Sequence, residues 1–431
     1  MQQRTTDNNG GDFQVPNEHC ENLLSIGNQN IKYLCEQNPD LLIFPQSLGQ
    51  YNDDVEKSHI FLLHDNTLTT CNIMGFVGRN ETQLTITSRF AEKDKHNYFL
   101  HYMLQKVFSI NIFKFDQTLN KENIWDFLLY LFPYYLKKAY SQGLYKAYKR
   151  EEYNDANVKG TIDVKRHIRT NIPFCGKIAY TTREHSHDNA VTQLIRHTIE
   201  HIKTHSFGSG VLTSDSETRD VVSKFCFVTQ NSYSKNARQK IISVNLKPVS
   251  HPYFTEYKML QKVCLRILQR EKLTFGAEKD KIYGLLFDGA WLWEEYLNKV
   301  FIERKLNFIH AENKSGKNPI YLFANYKYKR FPDFYKNDII LDAKYKNLDS
   351  NNMDRNDLHQ IISYMYVQQA NTGGFIFPST SESKVETIGF LNGFGGEVKN
   401  WSVQIPQNAE NFIEFQKKMR MNEQLLRFEK S

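Results

Sequence analysis

The chain has 431 residues, 40% hydrophobic and 13% aromatic, with 11 prolines and 21 glycines; this excludes a disordered, collagen-like or low-complexity polymer, and the length implies two or three domains. Lysine and arginine outnumber aspartate and glutamate by 55 to 48, a net charge of +7 that suits a polyanionic partner and is far from histone-like. The six cysteines (Cys20, Cys35, Cys71, Cys175, Cys226, Cys264) form no C-x-x-C pair and read as reduced, mostly buried thiols.

Residues 1–12 are polar, read as a disordered tail, and lack the basic-then-apolar pattern of a signal peptide. Short β-like segments follow at Leu41–Phe44, His59–Leu63, Thr67–Val77 and Gln83–Thr87, separated by turn signals such as Asp65-Asn66 and Gly78-Arg79-Asn80, and they define a β-rich domain over 13–95. Helical spacing then recurs over Tyr98–Phe108, over Glu122–Tyr148 with an interruption at Pro133, and over Asn189–His205 and Phe254–Gln269, so the region 96–274 is expected to be mostly helical. The longest apolar run, Phe127–Leu136, is about half of the ~20 residues a bilayer span needs, and a cytoplasmic, non-membrane protein is expected. Over 275–407 the order becomes helix, short strands, helix, strands, as in an α/β sandwich around a central sheet, and 408–431 read as a charged helix and tail. The fold class is α+β and multidomain.

The most informative segment runs from Arg330 to Lys344. If its turn centres on Lys336-Asn337, Asp333 falls opposite Ile340, and Asp333, Asp342 and Lys344 share one face because strand side chains alternate. Two neighbouring carboxylates make a hard oxygen site suited to Mg²⁺. An ammonium one step further along can orient water and offset charge on a phosphoryl oxygen, so the group has the parts of a phosphodiester hydrolase. A charged strand on an open sheet surface is the plainer alternative. Against it, Ile339, Ile340 and Leu341 are consecutive apolar residues, as in a strand covered on both faces.

Upstream, a helix over Phe287–Phe301 places Glu294 on the face of Ala290, Leu297 and Phe301, making it the preferred third metal or metal-water ligand; Glu295 falls on the other side. Downstream, Asp354 can cap a helix running to about Gln368, with Leu358, Ile361, Ile362, Met365 and Tyr366 as its buried stripe and Gln360 placed to reach the site or DNA. The run Tyr326-Lys327-Tyr328-Lys329-Arg330, with Lys344 and Lys346, interleaves cations for phosphates with tyrosines able to stack or wedge. His197, His201 and His205 repeat every four residues on one helix. They lack the H-E-x-x-H pattern and read as a polar helix face rather than a metal site.

Pro332-Asp333 followed by Asp342-Ala343-Lys344, between a helix carrying Glu294 and one carrying Gln360, resembles the PD-(D/E)xK nuclease superfamily, with Asp342 at its variable acidic position. Longer strings resemble McrC, the nuclease-subunit family of the McrBC modified-cytosine restriction systems, including its LlaJI-type relatives. They are Gly75-Phe76-Val77-Gly78, Ser88-Arg89-Phe90, Tyr98-Phe99-Leu100-His101-Tyr102-Met103-Leu104, Gly160-Thr161-Ile162-Asp163, Arg166-His167-Ile168-Arg169, Trp293-Glu294-Glu295-Tyr296-Leu297 and Leu341-Asp342-Ala343-Lys344-Tyr345-Lys346. The resemblance implies an N-terminal part that docks on an McrB-like AAA+ GTPase hexamer and stimulates its GTP hydrolysis. It also implies a C-terminal, restriction-endonuclease-like domain that cuts double-stranded DNA with Mg²⁺ when translocating complexes meet, with self-association of nuclease domains during cleavage. The chain has no G-x-x-x-x-G-K-[ST] loop of its own, and Arg89 is the candidate arginine finger for the partner's GTPase site. Two other readings stay open from the residues: a stand-alone repair or defence nuclease, and a non-catalytic activator of a motor ring.

Overall fold

The computed structural model describes residues 2–38, 41–45, 59–92, 97–108, 121–205, 208–213, 215–269, 281–311, 316, 318–336, 338–348, 353–393 and 395–428, with the side chains of 2, 121–127 and 208–209 outside that description. The protein is mixed α and β, with five sheets among the described residues. The chain forms two compact units, one from 1–119 together with 275–431, the other from 120–274. No helix among the described residues is long and apolar enough to cross a membrane.

In the first unit, a five-stranded sheet runs in the order Gln2–Thr6, Thr82–Thr87, Ile73–Arg79, Ile282–Asp288, Leu41–Phe44. Its fourth strand comes from far along the sequence, so the β-rich segment expected over 13–95 is completed by residues expected to begin a separate domain. Ile282–Asp288 is buried throughout and packs closely on its antiparallel neighbour. Gly75 shows why that string needs glycine: its φ is +130°, and a Cβ there would lie 2.1 Å from the Leu285 carbonyl oxygen. Leu23, Leu34, Ile43, Phe61, Leu84 and Leu286 fill the core on this sheet. The expected tail over 1–12 carries a strand instead. Its residues are polar, and it is held by parallel backbone pairing to Thr82–Thr87 rather than by apolar burial.

The second large sheet of this unit has the order Ile309–His310, Phe334–Lys336, Ile339–Ala343, Thr372–Ser379, Glu397–Gln404, Val385–Phe390. Phe334–Lys336 and Ile339–Ala343 form an antiparallel hairpin, and Ile339–Ala343 is parallel to Thr372–Ser379. The Arg355–Gln368 helix, capped by Asp354, packs Ile361, Tyr364 and Met365 against Ile340 and Phe375. Ile362 and Tyr366, expected in that stripe, are exposed; Tyr364 takes their place, so the helix is rotated toward its Ile361 side. On the Gly289–Glu303 helix, Phe301 meets Phe334 edge to face, ring centroids 4.9 Å apart, and the Trp293 indole donates to the Ile376 carbonyl. The Phe412–Leu425 helix is docked rather than trailing: buried Glu423 accepts from the Tyr102 and Tyr296 hydroxyls at 2.7 and 2.8 Å.

In the second unit, the Lys121–Tyr140, Ala190–Lys203, Ser216–Val228 and Tyr257–Gln269 helices match the expected helical character. The first continues through Pro133 and ends at Tyr140, short of the expected Tyr148. A three-stranded sheet of Ala147–Asp155, Ile178–Ser186 and Thr161–Ile162 was not foreseen, because Ala147–Asp155 alternates exposed residues with only partly buried ones and Ile178–Ser186 buries only Ala179 and Tyr180. The Gly160 string enters this sheet and the Arg166 string lies on the Val164–Thr170 helix beside it: a Cβ at Gly160 would lie 2.2 Å from the Thr181 carbonyl oxygen, and Arg166 donates to the Tyr153 and Tyr180 carbonyls. His197 is buried and packs on the Tyr233 ring, a correction to the polar face expected for that helix.

Candidate active site

Ile340, Leu341 and Asp342 are buried in succession in a strand with neighbours on both sides, so a carboxylate is carried into the covered part of the sheet. The hairpin register pairs Phe334 with Leu341, Tyr335 with Ile340 and Lys336 with Ile339. Continued by one step, it sets Asp333 opposite Asp342, two positions away from the expected pairing with Ile340. Because strand side chains alternate, a shift of two preserves the face, and the two carboxylates stay on one side. The Ala343 N–H donates to Asp333 Oδ2 at 2.6 Å, fixing that carboxylate at the end of the ladder.

Lys344 follows directly. Its Nζ lies 2.7 Å from Asp342 Oδ2 and 2.8 Å from Asp357 Oδ1, and Lys346 Nζ lies 2.7 Å from Asp357 Oδ2. Asp342, Lys344, Asp357 and Lys346 therefore form a chain of alternating charge from the strand to the first turn of the Arg355–Gln368 helix. Glu294, on the Gly289–Glu303 helix, pairs with His310 Nε2 at 2.8 Å, and His310 stacks on Phe334 with ring centroids 5.0 Å apart.

The electrostatics separate these acids. Burial raises the Asp333 carboxyl well above the usual carboxylate range, and the nearby Glu294 and Asp342 charges push it further up. Asp342 is 3% exposed and is also raised by burial, with Lys344 opposing the shift. Burial works against the Lys344 ammonium, but Asp342 and Asp357 outweigh it and hold the ammonium above its ordinary range. Asp357 is also burdened by burial, yet the two lysines keep it below the usual carboxylate range. Among the described residues no three His, Cys, Asp or Glu side chains converge as a ready metal cage. Asp342 is turned to Lys344 and Glu294 to His310. The donor chemistry nevertheless suits a hard divalent cation: Asp333 and Asp342 are carboxylates raised by burial and by acidic neighbours, and a cation between them would relieve that penalty.

Sequence comparison decides the family. A model of the McrBC 5-methylcytosine restriction system components matches residues 68–378. The chain belongs to this family. A search of curated proteins finds no match. Among solved structures, this McrBC-family chain is similar to one from the refined half-complex of the tetradecameric assembly of Thermococcus gammatolerans McrB AAA+ hexamers with bound McrC, at 14% identity and TM-score 0.45, covering 98% of this chain and 100% of that one. It is also similar to a chain of the cryo-EM structure of the Thermococcus gammatolerans McrBC complex, at 12% identity and TM-score 0.30, covering 72% of this chain and 90% of that one.

The remaining expected residues of this McrBC-family chain divide. Lys346 joins the charge chain, while Lys327, Lys329 and Arg330 are exposed on the segment leading into Asp333. Gln360 donates to the Tyr364 hydroxyl at 2.9 Å rather than to an acid. Tyr364 itself lies within the fields of Asp342, Asp333 and Arg330. Arg89, expected as a finger offered outward, is held inside its own unit. Its guanidinium donates to Asn72 Oδ1 at 3.1 Å and to the Tyr345 carbonyl, lies 3.7 Å from Asp7, and covers the Tyr345 ring at 4.9 Å. Ser88 Oγ and the Tyr345 hydroxyl are 2.7 Å apart, so the Ser-Arg-Phe string grips the residue that follows Lys344. His310 and Asp357 were not singled out in the sequence. Asp357 carried one usable signal, an acid on the helix face beside the capping Asp354; His310 carried none.

Proposed function

We propose that this chain is the McrC-type nuclease subunit of a GTP-dependent, 5-methylcytosine-type restriction complex, working in the cytoplasm on double-stranded DNA through a PD-(D/E)xK-like domain. The observation that carries the reading is the convergence of Asp333, Asp342 and Lys344 on one face of a buried strand end, in a member of the McrBC family. Asp333 and Asp342 would hold Mg²⁺, with Glu294 supporting it or its water, and the ion would lower the pKa of that water and shield the phosphate charge. Lys344 keeps its proton, held by Asp342 and Asp357, and so presents a permanent cation to the water or to a phosphoryl oxygen as charge grows there. His310 keeps the Glu294 carboxylate turned toward the hairpin. Lys327, Lys329, Arg330 and Lys346 neutralise backbone phosphates, and Gln360, tied to Tyr364, contacts a base or phosphate from the helix.

The resemblance of the N-terminal strings to McrC supplies the partner, an McrB-like AAA+ GTPase hexamer whose hydrolysis this subunit stimulates, with nuclease domains associating during cleavage. We assign Arg89 to gripping Tyr345 rather than to the partner's nucleotide site. The test is cleavage of methylated duplex DNA with Mg²⁺ by wild type and by Asp342→Ala, each with and without the GTPase and GTP. Cutting only in the full mixture, lost in Asp342→Ala with GTPase stimulation retained, is expected. Cutting by the chain alone would replace this reading with a stand-alone nuclease. Stimulated GTPase activity with no cutting by wild type would make the chain an activator.

A further inference from the structure

The segment just before the catalytic hairpin pairs Ile320–Tyr321 with Lys329–Arg330, and the loop between them is closed by the Tyr326 N–H donating to the Phe323 carbonyl and the Leu322 N–H donating to the Tyr328 carbonyl. Within it, Tyr326 and Tyr328 both sit in the left-handed region, at φ 58° and 57°. Asn, Asp and Gly take that conformation readily, whereas a bulky aromatic residue does so at a cost. Such a conformation persists only where the surrounding structure holds it. These two residues are 76% and 64% exposed. They are not loose: Tyr326 meets Tyr321 edge-on at 5.2 Å and Tyr328 meets Phe323 at 5.6 Å, so each is braced from one side and open on the other.

Charge and shape around them agree. Lys327 and Lys329 alternate with the tyrosines and Arg330 follows; all three are exposed and make no ion pair with an acid among the described residues. An open groove of about 1140 Å³ runs beside the loop, lined by Tyr321, Phe323, Tyr326, Ile362 and Tyr366 among others. The loop leads through Phe331 and Pro332 to Asp333, and Arg330 acts on Tyr364, which feels Asp333 and Asp342. We propose that this loop is a stacking platform for nucleobases unstacked from the DNA next to the scissile phosphate, a subsite that rests on the nuclease reading above. The cations hold successive phosphates while Tyr326 and Tyr328 take base faces. Bases inside an intact duplex offer no free face, so the occupant is a base displaced from its stack.

The test uses the full chain, without Mg²⁺, and two fluorescein-labelled duplexes, one perfect and one with a short unpaired bulge. Wild type is expected to bind the bulged duplex more tightly. The double variant Tyr326→Asn, Tyr328→Asn relaxes the backbone while deleting both rings. It should melt at the same or a higher temperature yet lose roughly tenfold or more of its affinity for bulged DNA. Tyr326→Phe and Tyr326→Trp keep a ring and should keep the preference. If the double variant binds both duplexes as wild type does, the platform is refuted while the nuclease reading stands. If wild type binds neither duplex and cuts no DNA with Mg²⁺ and the GTPase, both fall together.

Discussion

In the helical unit, Asp215 does what surface acids ordinarily do. It caps the Ser216–Val228 helix by accepting from the Thr218 N–H at 2.8 Å and pairs with Lys137 at 2.9 Å. Burial opposes its charge, but the Lys137 and Thr218 hydrogen bonds outweigh that and draw its pKa down to about 2. In the other unit, Asp333 and Asp342 are raised by burial, and nearby acids push both further up, Glu294 and Asp342 on Asp333, Asp357 and Glu294 on Asp342. The difference separates acids that support folding from acids held against their preference. Such perturbed, mutually repelling groups at a strand end mark chemistry rather than stability. The two units also differ in how they are assembled: the helical one is continuous in sequence, whereas the site-bearing one is completed by segments more than 150 residues apart, 1–119 and 275–431.

The comparison breaks first, and by the largest margin, at Lys344. Lys344→Ala should lower DNA cleavage about 10²- to 10³-fold while leaving the GTPase partner stimulated, since the cation it removes acts on developing charge. Asp357→Asn should be milder, roughly tenfold, because Lys344 keeps Asp342 but loses the second carboxylate that holds it. Steady-state cleavage by the full complex reads both. Equal losses in the two variants would show that the Asp357 link, not the lysine charge, is what matters.

The central triad was legible because it depends only on parity. The sequence places the hairpin turn slightly off, yet Asp333, Asp342 and Lys344 stay together, since a register change of two leaves the faces intact. Glu294 was legible as a carboxylate on a largely apolar helix. His310 was not, because it stands in a two-residue strand with no period to read and meets Glu294 only through the folded sheet. Asp357 looked like any acid in a first helical turn, favourable to the helix dipole, and its lysine partners appear only when the helix returns over the strand. Gln2–Thr6 and Ala147–Asp155 were missed for one shared reason: their pairing uses backbone hydrogen bonds, while periodicity reports apolar burial. Ile282–Asp288 shows a further limit, since an apolar run announces burial but not which sheet it will join.

A smaller effect is expected in the helical unit. Asp215→Ala removes a cap and an ion pair and should cost about 1 kcal/mol, or a few degrees in melting temperature, with cleavage per folded molecule unchanged. A loss of cleavage beyond the loss of folded protein would mean that this acid is not purely structural.

The subtlest contrast lies in the sign of the pH response. Asp7, in the site-bearing unit, is buried beside Arg89, and burial raises its pKa to about 6 from an ordinary 3.8 despite the guanidinium. A raised carboxyl holds its proton more tightly folded than unfolded, so its contribution is present below pH 4 and is lost as pH rises from about 4 to 6. Asp215 is lowered to about 2, so its contribution is present above pH 4 and is lost as pH falls from about 4 to 2. Amide-exchange protection, corrected for intrinsic rates, should therefore fall in the Gln2–Thr6 strand between pH 4 and 6 and in the Ser216–Val228 helix between pH 4 and 2. Asp7→Asn should flatten the first slope and leave the second, because the amide can still accept from the Arg89 N–H but no longer titrates. If both slopes had the same sign, the opposition drawn here between burial and pairing as the forces on the two acids would be wrong, and the grip of Arg89 on Asp7 would have to be stronger than burial.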